Sequence, residues 1–236
     1  NKPTANFFLM NFDKTKINAD EAFEKLAKER LILRKMEQYN ITNSLRLTIG
    51  NEKANEHFIK TIKEICSFIS GPVSAEVIAT DYDGMVAEGR KLAGIAKNVT
   101  VKLPLVENGI RACKTLSDEG HLVNVTLCFS AVQALLAAKA GASFVSPFVG
   151  RLDDIGQDGM ELISDIIELY SNYDFSTKIL VASVRHPGHV LTSALLGADI
   201  VTLPPDILTK LFTHPLTEKG LESFLSDWES TGQSIV

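Results

Sequence analysis

From residue 70 onward, short apolar runs alternate with stretches whose apolar positions recur at helical spacing. Runs at 73–78, 99–103, 122–128, 143–149, 178–184 and 199–203 lead into helical stretches at 82–93, 106–116, 131–140, 159–170, 189–196 and 205–212. The runs are rich in valine, isoleucine and leucine, and we read them as strands without clean alternation, buried on both faces as in a parallel sheet. Intervals from one strand start to the next, mostly in the twenties, leave room for a crossover helix.

The ends of these segments carry matching signals. Ser130 stands where it can cap the helix at 131–140, and Thr217 precedes a last helix at 218–228 with Glu218 in its first turn. Gly141 and Gly197 follow helical stretches where a left-handed residue is wanted. A closed eight-stranded barrel needs two further strands from the first 70 residues. The candidates are 6–10 and 39–45, separated by a charged helix at 20–36 that Asp20 can cap, with a helix at 54–69 feeding the third strand. The predicted fold is therefore α/β: a single (β/α)8 TIM barrel domain across residues 1–236 with an additional C-terminal helix. A doubly wound open sheet is the alternative, but it would more often carry a Gly-rich loop after its first strand, and this chain has none.

Composition changes this picture little. Hydrophobic residues make up 45% and charged residues 22% of the 236-residue chain, an ordinary globular balance. A formal net charge of -5 argues against nucleic acid as the main partner. No apolar run approaches the roughly 18 residues needed to cross a bilayer, so no membrane partner is expected. Residues 1–8 lack the basic region and long apolar stretch of a secretory signal. Cys66, Cys113 and Cys128 are scattered, with neither metal-ligand spacing nor a disulfide framework, which suits a reducing cytoplasm.

Candidate chemistry lies in polar residues inside otherwise apolar strands, toward the C-terminal ends where barrel active sites are assembled. Glu76 and Lys102 sit on the first two clear strands, Asn124 and Thr126 on the next, and Ser146 on the fourth. An ammonium and a carboxylate on adjacent interior strands need a reason, because an unpaired buried charge costs several kcal/mol. One is a structural ion pair. The other is a lysine whose partly dry surroundings favour the free amine, able to attack a carbonyl, with Glu76 shuttling protons through a water. Thr126 and Asn124 are two apart and point the same way, placed to fix that water and substrate hydroxyls. Arg151 and Arg185 follow strand ends and form a candidate clamp for a phosphate. Ser183 precedes Arg185, and Asp153 and Asp154 are placed to orient Arg151. Phe148 is a strand-end aromatic that packing alone would explain.

His186 and His189 are three apart, but Pro187 lies between them and carboxylates are expected to be distant, so no metal site is predicted. There is no Gly-x-Ser-x-Gly nucleophile elbow.

These strand-end motifs resemble the transaldolase family in its short bacterial and archaeal form. The matching segments are Gly71-Pro-Val-Ser-Ala-Glu-Val-Ile78, Val101-Lys-Leu-Pro104, Asn124-Val-Thr126, Leu135-Leu-Ala-Ala-Lys-Ala-Gly141 and Val145-Ser-Pro-Phe-Val-Gly-Arg-Leu-Asp-Asp154. Ala182-Ser-Val-Arg-His-Pro187, Gly197-Ala-Asp-Ile-Val-Thr202 and His214-Pro-Leu-Thr217 continue the series. The resemblance implies class I chemistry of the pentose phosphate pathway without metal or organic cofactor. Lys102 falls on the Schiff-base lysine, Glu76 on the acid/base carboxylate that works through a water shared with Thr126, Asn124 and Ser146 on sugar-hydroxyl contacts, and Arg151 and Arg185 on the phosphate site. A dihydroxyacetone unit would pass from sedoheptulose 7-phosphate or fructose 6-phosphate to glyceraldehyde 3-phosphate or erythrose 4-phosphate. The resemblance also implies a homo-oligomer, with the C-terminal helix helping assembly.

The related fructose-6-phosphate aldolases, which share this scaffold, tend to have glutamine where this chain has Glu76 and tyrosine where it has Phe148. Glu76 with Phe148 therefore favours transaldolase over aldolase. The beginning of the chain departs from the family. Its first strand usually ends in an Asp-Thr-Ala segment, whereas here Met10 or Asn11 stands at the Asp position and Asp13 is the substitute, two or three residues late. The second-strand motif Thr-Thr-Asn-Pro-Ser reads Ile41-Thr-Asn-Ser44 here, keeping Asn43 as a substrate contact. A third alternative is a non-catalytic barrel that keeps the site to bind sugar phosphates.

Overall fold

The computed structural model describes residues 7–11, 20–21, 33–35, 44–48 and 52–234. The chain divides into two compact units, Asn1–Ser70 and Gly71–Val236. Asp13 and Asn43, the two site residues expected from the first strands, lie outside the described residues.

In the first unit, β1 (Phe7–Asn11), β2 (Leu33–Lys35) and β3 (Ser44–Thr48) form an antiparallel sheet in the order β1-β3-β2. The register pairs Phe7 with Thr48 and Asn11 with Ser44, and Leu33 with Leu47. These are not two parallel barrel strands, and residues 33–35 of the expected 20–36 helix are extended. The reason is visible in Ser44-Leu-Arg-Leu-Thr48, where apolar and polar residues alternate strictly. That period suits an antiparallel strand with one wet face better than a strand buried on both sides. Of the expected 39–45 strand, Ser44 and Leu45 lie in β3, and residues 39–43 lie outside the described residues. The helix α1 (Glu52–Phe68) follows in this unit.

The second unit is α/β. Its strands are β4 (Val73–Glu76), β5 (Val99–Pro104), β6 (Val123–Cys128), β7 (Phe144–Pro147), β8 (Lys178–Val181) and β9 (Ile200–Val201). They form one six-stranded sheet in sequence order, every neighbour parallel. Between them run α2 (Tyr82–Ala93), α3 (Glu107–Asp118), α4 (Ala131–Lys139), α5 (Val149–Asp153), α6 (Gly159–Tyr173) and α7 (Pro187–Leu196), followed by α8 (Pro205–Lys210) and α9 (Pro215–Ser230). All six strands expected beyond residue 70 are present, and among the described residues they form a six-stranded parallel sheet with flanking helices, short of a closed eight-stranded barrel.

The strands alternate more regularly than the sequence pattern predicts. Val101, Leu103, Val123, Val125, Val145, Ile179 and Val181 share one core with Met85, Leu116, Ile163 and Ile166 of the helices. Each fully buried valine or leucine contributes about 1.5–3 kcal/mol relative to exposure. The intervening positions point to the other face, since side chains along a strand alternate and laterally paired residues share a face. Ser74, Glu76, Thr100, Lys102, Asn124, Thr126 and Ser146 all lie there by register. The pattern breaks once, where the β6–β7 register shifts between Thr126 and Cys128 and Leu127 takes φ 61°. This bulge lets Cys128 join the helix-side core although it stands two residues after Thr126.

Helix ends follow local chemistry. Ser130 caps α4, accepting from the Gln133 amide, and Gly141 and Gly197 adopt left-handed φ values of 85° and 87°. The last helix begins three residues before the expected start. Pro215 occupies its first turn, where a fixed φ and a missing N–H cost nothing, and His214 rather than Thr217 caps it through Nδ1.

Candidate active site

The polar face of the parallel sheet gathers the residues singled out from sequence. Glu76, Lys102 and Asn124 stand side by side on β4, β5 and β6. Lys102 Nζ donates to Glu76 Oε2 at 3.0 Å, a direct ion pair. The lysine side chain is 24% exposed and the glutamate 48%, so the pair is only partly desolvated. Beside it, Ser146 Oγ donates to Asn124 Oδ1 at 2.8 Å, and Asn124 Nδ2 donates to Ser74 Oγ at 3.2 Å. This chain fixes the Asn124 amide and makes Ser74 a member of the site, which sequence reasoning missed. Thr126 is buried, and its hydroxyl has no hydrogen-bond partner among the described residues. A buried hydroxyl in that state costs about 1–3 kcal/mol, and it stands ready for a partner.

The two arginines come from neighbouring elements. Arg151 lies in α5, directly after β7, and its guanidinium sits 4.8 Å from the centre of the Phe148 ring. Phe148 is held in turn by an edge contact with Phe129, ring centroids 5.9 Å apart. Arg185 follows β8, and its Nη2 donates to Asp154 at 2.7 Å. Asp154 therefore orients Arg185 and not Arg151, because its place at the end of α5 turns it toward the β8 loop. Arg151 makes no ion pair among the described residues. Gly150 is required for the close approach: a Cβ there would stand 2.1 Å from the Ser183 carbonyl oxygen and 2.6 Å from Arg185 Cγ. Its N–H instead donates to that carbonyl at 3.1 Å. Ser183 takes a left-handed φ of 61°, an uncommon conformation for a residue with a side chain.

His189 is buried between these two arginine-bearing segments. Its Nδ1 accepts from the Arg185 backbone N–H at 3.2 Å, and its Nε2 lies 2.8 Å from Asp153 Oδ2. Asp153 Oδ1 also accepts from the Gly159 amide at 3.0 Å. Burial, and after it the neighbouring His186, hold the His189 imidazole below its ordinary range, so it is neutral near pH 7. The Arg185 N–H can only donate, which puts the single imidazole proton on Nε2, facing the Asp153 carboxylate. Ligand atoms of Asp153, His186 and His189 lie within 4.8 Å of one another, so a carboxylate is not distant from the histidines as the sequence suggested. The geometry nevertheless argues against a metal centre, since His189 Nδ1 already accepts from the Arg185 N–H, which leaves the imidazole proton to Nε2, and the His186 and His189 rings are tilted with centroids 3.8 Å apart.

The chain matches the family model described as "Transaldolase/Fructose-6-phosphate aldolase" over residues 12–235. It belongs to that family. A "Probable transaldolase" of Roseobacter denitrificans is 63% identical over 184 residues, which cover 78% of this chain and 85% of that protein. Proteins of the same description from Dinoroseobacter shibae and Rhizorhabdus wittichii are 61% and 59% identical over 184 residues, again 78% of this chain and 85% of each relative. A solved mandelate oxidase is similar only at TM-score 0.45 and 14% identity, covering 60% of this chain and 52% of that one.

Within this transaldolase-family enzyme, Ser74, Gly150 and His189 escape a reading of the sequence for different reasons. Ser74 shares a strand face with Glu76, a signal that a strict period of two would expose. Gly150 and His189 act through contacts that only the neighbouring loop reveals. The cysteines are all free, and burial raises the thiols of Cys113 and Cys128 to about 11 and about 12. Among the described residues no helix is long and apolar enough to cross a membrane.

Proposed function

We propose that this chain is a transaldolase in which Lys102 carries a dihydroxyacetone unit as a Schiff base. The observation that carries the reading is the Lys102–Glu76 pair at 3.0 Å on a face of otherwise neutral polar side chains. As the ketose phosphate binds, Glu76 relieves Lys102 of a proton, and the free amine adds to the C2 carbonyl. Loss of water gives a protonated imine. Cleavage of the C3–C4 bond then sends its electron pair to the imine nitrogen, leaving an enamine and releasing an aldose phosphate. The C4 hydroxyl proton leaves to a base, the role given to Asp13. Adding the enamine carbon to a second aldose phosphate reverses these steps, and water hydrolyses the new imine.

The Thr126 hydroxyl, buried and without a protein partner among the described residues, is suited to hold a water between Glu76 and the substrate. Asn124, Ser146 and Ser183 bind substrate hydroxyls, as does Asn43, and Arg151 and Arg185 take the phosphate. Phe148 lines the site without offering a proton, which favours retention of the three-carbon unit over its release. In this reading residues 1–236 make one (β/α)8 barrel domain. Six consecutive βα units and the family match from 12 to 235 support it, while the antiparallel pairing of β1 with β3 counts against it. The enzyme acts on sugar phosphates in the cytoplasm, in keeping with its free cysteines. It assembles as a homo-oligomer, for which the exposed Leu221, Phe224, Leu225 and Trp228 of α9 provide apolar surface.

The test is borohydride reduction in the presence of fructose 6-phosphate, with the adduct located by mass. We expect a three-carbon adduct on Lys102 and turnover only when erythrose 4-phosphate is supplied. An adduct elsewhere, or none, would sink the proposal, and steady release of free dihydroxyacetone would make the enzyme an aldolase.

A further inference from the structure

His189 contributes no atom to the polar face of the sheet, yet it joins the two segments that carry the arginines. The loop after β8 is held at three points. The Ser183 carbonyl accepts from the Gly150 N–H of α5, the Arg185 guanidinium reaches Asp154, and the Arg185 N–H is received by His189 Nδ1 of α7. His189 Nε2 then returns to α5 through Asp153, two residues beyond Arg151. The loop contains Ser183 at φ 61°, a left-handed conformation that persists in a serine only where surrounding contacts over-determine it. His189 is itself fixed. It is 4% exposed, and its carbonyl accepts from Ser193 Oγ at 2.6 Å within α7. One rigid imidazole thus sets the backbone of Arg185 and the helix bearing Arg151 relative to each other.

We propose that His189 is a positioning residue for anion binding: as its Nε2–H tautomer it locks Arg185 and α5 into the spacing that lets both arginines grip one phosphate. The proposal rests on the assignment of Arg151 and Arg185 to the phosphate. It gives His189 no part in imine chemistry, so its loss weakens substrate capture and leaves Lys102 competent. A bidentate arginine contact is sensitive to orientation, which makes the expected effect one on affinity.

The test uses the full chain with His189→Leu, which keeps bulk and removes both hydrogen bonds, and His189→Asn, which keeps an acceptor where Nδ1 stands. In His189→Leu, KM for fructose 6-phosphate and the inhibition constant of inorganic phosphate rise by about tenfold or more, as for loss of an oriented charge-assisted contact. kcat stays near wild type, and dihydroxyacetone, which has no phosphate, is trapped on Lys102 by borohydride to the wild-type extent. His189→Asn recovers part of the lost affinity, and it serves as the measured variant if His189→Leu does not fold. Unchanged phosphate inhibition in both variants overturns the proposal, as does an equal loss of dihydroxyacetone trapping, which would mark a general structural role. Arg185→Ala is the control. If it leaves phosphate inhibition unchanged, the underlying phosphate assignment fails and takes this inference with it; if only the His189 variants are silent, the assignment stands and the inference alone falls.

Discussion

Along β5, Val99, Val101 and Leu103 alternate with Thr100 and Lys102, and the two sets meet different surroundings. The first set is closed off, with Val101 and Leu103 fully buried and packed on the helix-side core. The second belongs to a face where Lys102 pairs with Glu76, and Asn124 links Ser146 to Ser74, side chain to side chain. The helix-side face is stabilised mainly by nondirectional burial of apolar side chains. The opposite face is directional and carries two buried hydroxyls, of Thr100 and Thr126, without partners among the described residues, a cost that stability alone gives no reason to retain. The same strands thus separate stability from chemistry, and each face is separately breakable.

The largest effect is expected from Lys102→Met. Turnover falls on the order of 10³-fold or more and borohydride trapping is lost, because Lys102 is the one amine on the face among the described residues. The melting temperature stays close to that of the parent, since Glu76 is half exposed and rehydrates readily. A melting temperature that collapses with activity would show that the two faces are not independent.

Leu116→Ala breaks the other side. Leu116 is fully buried in α3 within the helix-side core, and its truncation costs about 2–5 kcal/mol in denaturant unfolding. The activity of the remaining folded molecules is unchanged; a fall in their kcat would mean that the core also tunes the polar face.

Thr126→Val sharpens the distinction. Removing a buried hydroxyl that has no partner leaves stability equal or slightly raised, while turnover falls roughly 10–100-fold as the proton route loses its anchor. Wild-type turnover in this variant would remove Thr126 from the mechanism. The smallest effect concerns Cys113 and Cys128, whose thiols burial raises to about 11 and about 12. Both stay protonated from pH 6 to 9, so a thiol reagent leaves them unmodified in the native enzyme and labels them only on unfolding. Rapid native labelling of either would show that the helix-side core opens.

Much of the second unit is legible in the amino-acid sequence. Its six strands, the cap at Ser130, the left-handed glycines and the polar residues Glu76, Lys102, Asn124, Thr126 and Ser146 are local signals, readable from propensity and position along the chain. The alternation is harder to see. Val99-Thr-Val-Lys-Leu103 looks continuously apolar if threonine and lysine are taken as interruptions, whereas they mark the second face. Nearness in sequence assigns Asp154 to Arg151, yet its partner is Arg185, 31 residues on. In the first unit, the charged stretch at 20–36 has helical spacing throughout, and nothing local to it predicts that 33–35 pairs with β3.

By itself, then, the sequence determined the parallel βα order, the family and the chemical types on the polar face, because each is written in short-range pattern and residue identity. Tertiary structure alone decided which partners those residues take. Lys102 meets Glu76 only because β4 and β5 pair in that register, and His189 becomes a clamp because a carboxylate from α5 and an amide from the β8 loop converge on its two nitrogens. Hydrogen bonds and ion pairs depend on separations of a few ångströms between atoms far apart in the chain, and a linear pattern does not encode those distances.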